Sequence, residues 1–111
     1  MRLTAAAVLL FVSALLEAGG DAIVRTGLHA SSTASRILLF CAGGLVLFAY
    51  GYVVNRPPWD FGKLLGVYVV FFFVVAQAIA YFAFGQAPSR GIWVGGALIV
   101  IGGAIVAASA R

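Results

Sequence analysis

Residues 64–84 read LLGVYVVFFFVVAQAIAYFAF, without a single charged side chain. A helix of this length is about 31 Å long at 1.5 Å per residue, which matches the hydrocarbon core of a bilayer. Inside that core no water meets the backbone N–H and C=O groups. The segment must satisfy them internally, and a helix does so. A strand of an outer-membrane barrel would need side chains that alternate between lipid and lumen. Phe71-Phe72-Phe73-Val74-Val75 does not alternate.

Three further runs of the same character flank this one. They cover residues 3–24, 37–54 and 92–108. Hydrophobic residues make up 64% of the 111-residue chain and charged residues 9%. A soluble domain carries about a quarter charged residues. The expected fold is therefore all-α: a polytopic membrane protein with four transmembrane helices in one domain, 1–111. The breaks between spans are polar or proline-rich. Residues 26–35 read as a flexible loop. Asn55-Arg56-Pro57-Pro58-Trp59-Asp60 and Gln86-Ala87-Pro88-Ser89-Arg90 stop a helix, because proline lacks an amide proton and clashes with the preceding turn. No loop is long enough to fold alone. Met1-Arg2 and the apolar run after it also fit a secretory leader. The segment is read as a true helix, because its loss would leave the charged stripe described below at a new terminus.

Several function classes drop out. No phosphate loop, zinc spacing or serine nucleophile elbow is present, so no enzyme activity, metal or cofactor is expected. The net charge of +4 is explained by membrane flanks rather than nucleic acid. Cys41 stands alone in the second span and reads as a small hydrophobe. His29 reads as a solvated loop residue.

The charges bear on orientation. With four spans, Arg2, Arg56, Lys63 and Arg111 share one side, and Arg25, Arg36 and Arg90 the other. Basic residues near helix ends set orientation, and four against three barely decides it. The chain is expected to insert both ways, in a cytoplasmic (inner) membrane, and to pair as an antiparallel dual-topology homodimer. Counting noise in a small protein is the plainer explanation of the balance.

Leu15-Leu16-Glu17-Ala18-Gly19-Gly20-Asp21-Ala22-Ile23-Val24-Arg25 ends the first span with charges at every fourth residue. Glu17 is the deepest. A lone acid in a span faces a bundle interior or a wet cavity. It can hold a proton or, when ionised, a cation, as a coupled transporter requires. The alternative is a structural acid paired with a base. Asp21 and Arg25 are read as an interface-level salt pair at i,i+4 spacing. That pairing would leave Glu17 poorly neutralised. Ser13 and Ala14 lie on the face of Glu17 one turn back, with bulky Leu10 beyond. Gly19 and Gly20 leave room for another helix or a ligand.

In the third span, Tyr68 can offer a hydroxyl to a carboxylate and a ring face to a cation. It can equally belong to the interfacial aromatic belt. Phe71, Phe72 and Tyr81 could line an apolar site. Gln77 is deeper and needs a partner on a neighbouring helix. In the fourth span Gly95, Gly96, Gly102 and Gly103 form a small-residue stripe suited to helix pairing. The dimer contact is the expected use, with packing inside one subunit as the alternative. Trp93 reads as an interface anchor.

These stretches resemble the small multidrug resistance transporters, and especially their four-helix relatives of the YnfA type, within the drug/metabolite transporter superfamily. Leu16-Glu17-Ala18-Gly19-Gly20 is similar to the family's first-helix carboxylate motif. Leu47-Phe48-Ala49-Tyr50, Gly66-Val67-Tyr68, Phe84-Gly85-Gln86 and Gly95-Gly96-Ala97-Leu98-Ile99 are similar to the later helices. The resemblance implies an antiparallel dimer in which Glu17 of both chains binds protons or a cationic substrate, Tyr68 takes the aromatic place, and the fourth helix dimerises. Two features depart from the family. Phe61-Gly62-Lys63-Leu64-Leu65 replaces a proline-glycine-tyrosine-tryptophan pattern, and Asp21 adds an acid. The expected function is proton-coupled export of small cationic or amphiphilic substrates. Two alternatives stand beside it. One is a non-transporting subunit of a larger membrane complex. The other is a lipid or metabolite carrier in which Asp21 and Arg25 grip a headgroup.

Overall fold

The computed structural model describes residues 1–109; Arg111, counted above, lies outside them. The described chain is all-α, with helices α1 (Leu3–Leu28), α2 (Thr33–Val54), α3 (Phe61–Phe84) and α4 (Arg90–Ala107). All four are long and apolar enough to cross a membrane, so the chain is a multi-pass membrane protein by fold.

The helices run past the hydropathic limits at their polar ends. α1 continues to Leu28 and α2 begins at Thr33, which leaves residues 29–32 as the connection. The expected loop at 26–35 is shorter because local bonds hold its polar residues in the helices. Thr26 Oγ1 donates to Ala22 O at 2.8 Å, and Ser32 caps α2 by accepting from the Ser35 amide at 3.1 Å. α3 begins at Phe61 rather than 64, directly after the Pro57-Pro58 break. It ends at Gly85, whose φ of 65° is left-handed and favours glycine. There the Gly85 and Gln86 amides turn back to Tyr81 O (3.1 Å) and Ala80 O (2.9 Å), closing carbonyls that the helix end would leave open. Ser89 caps α4 through the Ile92 amide at 3.3 Å.

Among the described residues the packing order is α2–α1–α3–α4: α1 touches α2 and α3, and α4 touches α3 alone. The row bends, because Tyr50 of α2 and Tyr68 of α3 bring their rings to 5.6 Å beside α1. The core is Leu10, Ala14 and Ala18 of α1, Val54 of α2, and Leu64, Val67, Tyr68 and Val75 of α3. Outside it the surface is apolar: Phe82 is 83% exposed and Phe48 77%. Such a surface suits lipid and is a liability in water. Cys41 is on this exposed surface.

Glycines set both outer contacts. A Cβ on Gly43 of α2 would lie 2.6 Å from Val24 Cγ2 and 3.1 Å from Gly20 O. The α1 and α2 backbones therefore meet at Gly20 and Gly43, and Gly27 takes Phe40 one heptad on. On the other side Gly96 receives Phe73 and Gly103 receives Val70. This corrects the fourth-span stripe. Gly96 and Gly103 pair α4 with α3 inside the subunit, while Gly95 and Gly102 have no neighbour within 4 Å of a Cβ position. Adjacent glycines point about 100° apart on a helix, so one stripe serves two directions.

Candidate functional site

Glu17 is half-buried on α1, between Ser13 one turn before it and Asp21 one turn after. Its Oε1 accepts a hydrogen bond of 2.7 Å from the Tyr68 hydroxyl of α3. Tyr68 is 4% exposed, so its ring is fixed. Tyr50 packs on one side at 5.6 Å and Phe72 lies 6.2 Å away. The parallel run of α1 and α3 brings residues 17 and 68 together. The antiparallel run of α1 and α2, set by Gly20 and Gly43, brings Tyr50 to the same level. One carboxylate and three aromatic rings thus form a single polar point in an apolar bundle. Ring faces attract cations, and more strongly once water is excluded.

The structure joins Glu17 and Tyr68 as the sequence suggested and adds Tyr50, which sequence reasoning missed. Tyr50 stood within Leu47-Phe48-Ala49-Tyr50, but its place beside Glu17 depends on the α1–α2 register. Ser13 is not a ligand-facing donor. It is fully buried, and its hydroxyl donates to Leu9 O at 2.7 Å. This back-bond satisfies the hydroxyl within its own helix. Ser13 is part of the wall behind Glu17.

The Asp21–Arg25 pair also needs correction. Among the described residues no ion pair forms within 4.0 Å. The Arg25 guanidinium instead lies over the Phe84 ring, 5.5 Å from its centroid. An exposed i,i+4 ion pair contributes only about 0.3–0.5 kcal/mol, and a cation over an aromatic face contributes about 0.5–1 kcal/mol. The ring offers more than the neighbouring carboxylate. Asp21 and Arg25 share a cavity of about 260 Å³ between α1 and α3, walled by Phe72, Phe84 and Gln86. Phe84 and Arg25 also line an adjoining space of about 360 Å³ that reaches Thr26 and His29 at the end of α1. His29 holds to the helix end through Nδ1 at 2.9 Å from Arg25 O.

Gln77, expected to bond to a neighbouring helix, lines a groove of about 410 Å³ between α3 and α4 with Trp93, Gly96 and Val100. Trp93 is exposed at the start of α4. No cluster of three or more His, Cys, Asp or Glu side chains suited to a metal occurs among the described residues.

Compared with protein-family models, curated proteins and solved structures, the chain gives no match. The described residues define a multi-pass membrane protein of four helices in which Tyr68 holds the Glu17 carboxylate.

Proposed function

We propose that the chain is a proton-coupled transporter that exports small organic cations from the cell through a site containing Glu17. Proton and substrate would occupy the carboxylate in turn. The observation that carries this reading is the 2.7 Å bond from Tyr68 to Glu17, with the Tyr50 and Phe72 rings beside that of Tyr68. An apolar environment penalises a bare carboxylate, so a proton or a cation must accompany it. The rings favour the cation and the tyrosine hydroxyl orients the acid. The reading places the chain beside the small multidrug resistance transporters and their YnfA-type relatives, and the support is the residues themselves.

The test is flux in proteoliposomes under a pH gradient, over a panel of guanidinium, quaternary ammonium and polyamine compounds. Uptake of at least one compound, driven by the gradient and dissipating it, is expected. No coupled movement of any of them sinks the reading. Tyr68→Phe should keep the ring packing but leave the Glu17 oxygen without its donor. Losing such a bond costs about 1–3 kcal/mol, so substrate affinity should fall about tenfold. Unchanged affinity and flux in that variant would detach Tyr68 from the site.

The transporter is proposed to work as an antiparallel homodimer of dual-topology copies. Inverted copies can expose one shared cavity alternately by rocking. The open Gly95 and Gly102 face of α4 is the proposed contact. Gly95→Leu with Gly102→Leu should shift the protein from dimer to monomer in dilute detergent, at unchanged helix content. Sedimentation reads this directly. An unchanged dimer population would move the contact elsewhere.

A further inference from the structure

The two charges one and two turns beyond Glu17 have no role in the mechanism above. Asp21 and Arg25 stand on one helix face, about 6 Å apart along the axis. They line the same 260 Å³ cavity and make no ion pair with each other. Opposite charges in a membrane helix normally pair. Here the guanidinium lies over the Phe84 ring, 5.5 Å from its centroid, and not on the Asp21 carboxylate. Gln86 also lines the space, and its backbone is held at the Gly85 turn by the 2.9 Å bond of its amide to Ala80 O. At about 260 Å³ the pocket falls just below the usual ligand-site range of about 300–1,000 Å³. It suits a headgroup-sized molecule rather than a drug-sized one.

We infer that this cavity binds a zwitterion, with its cationic nitrogen at Asp21 and its anionic oxygen group at Arg25. Bare cations are disfavoured because Arg25 repels them, and bare anions because Asp21 does. Orientation follows from the fold. Arg25 is nearer the end of α1, where the adjoining space reaches His29, and Asp21 is deeper. The cation therefore leads, and Glu17 lies one helical turn further along α1. This rests on the reading of Glu17 as a cation site and adds to its cargo cations that carry their own anionic group. The same chemistry occurs in a free solute and in a zwitterionic phospholipid headgroup.

The experiment measures binding to the purified full chain in an uncharged maltoside detergent by calorimetry. The probes are glycerophosphocholine, choline and glycerol phosphate. Glycerophosphocholine should bind at least about tenfold more tightly than either half-molecule. Asp21→Asn should remove that advantage. Arg25→Gln should also remove it while raising choline affinity, a gain that misfolding cannot produce. Adding phosphatidylcholine identifies the source. Competition assigns the site to a lipid headgroup, its absence to a free solute, and either result keeps the site. Equal binding of choline and glycerophosphocholine, or an Arg25→Gln variant with unaltered selectivity, overturns the inference. Because the assay reads no flux, it stands or falls separately from transport. A chain that binds the zwitterion but moves no cation would sink the Glu17 reading alone.

Discussion

Glu17→Gln is expected to reduce proton-driven substrate flux to background while leaving the fold intact. Glutamine keeps the length and planar end of the side chain. Its carbonyl can still accept the hydrogen bond that Tyr68 now donates at 2.7 Å. The packing of Tyr68 against Tyr50 and Phe72 therefore has no reason to change, and stability should shift by less than about 1 kcal/mol. What disappears is the exchangeable proton and the negative charge that follows its loss. Coupling requires one group whose two occupants exclude each other. A neutral amide binds neither a proton nor a cation with the needed preference, and a ligand without differential affinity shifts no equilibrium. The measurement is flux in proteoliposomes at matched protein density, with helix content and oligomeric state checked in detergent. Full gradient-driven flux would remove Glu17 from the mechanism. A variant that fails to assemble would instead make Glu17 a structural acid, as expected of a non-transporting subunit.

The spans were legible because hydrophobic runs report directly on a solvent, the lipid. Their ends were not. Hydropathy stops at Val24 and resumes at Ile37, whereas α2 already starts at Thr33 and takes in Ser35 and Arg36 once Ser32 supplies a cap. Glu17 and Tyr68 stood out as polar residues in apolar runs, and the fold joins them. Tyr50 looked the same as any interfacial tyrosine, since only the contact of Gly20 with Gly43 sets the register that brings it level with Glu17. Arg25 was misassigned for a related reason. An i,i+4 count sees along one helix, and its competitor, Phe84, arrives from another. The α4 glycines showed where close packing is possible but not in which direction, so Gly96 and Gly103 were grouped with Gly95 and Gly102. The heptad spacing of Gly20 and Gly27 is the available signal for the α1–α2 contact, but Gly20 alone reads as room for another helix or a ligand, while Gly27 falls in the expected loop.

Gly43→Leu is expected to cause the largest loss of stability, and to disable the site without touching it. Gly43 is where the backbones of α1 and α2 come closest. Even a single added carbon would lie 2.6 Å from Val24 Cγ2 and 3.1 Å from the Gly20 carbonyl oxygen. The first neighbour is a stiff β-branched side chain and the second is backbone, so neither can turn aside cheaply. Overpacking of this kind costs about 1–3 kcal/mol, and a leucine should reach the upper end because α2 must move as a body. That movement draws Tyr50 away from Tyr68, whose rings are now 5.6 Å apart. Substrate affinity should fall even though Glu17 and Tyr68 are unchanged. The neighbouring Gly44 is the control: its Cβ position has nothing within 4 Å. Gly44→Leu should be neutral or slightly stabilising, since leucine favours a helix over glycine by somewhat under 1 kcal/mol. Unfolding of the two variants in mixed detergent, followed by circular dichroism, separates a packing effect from a general intolerance of bulk in α2. Equal stability of Gly43→Leu and Gly44→Leu would mean that α1 and α2 do not meet at Gly20, and the place of Tyr50 beside Glu17 would be lost with that contact.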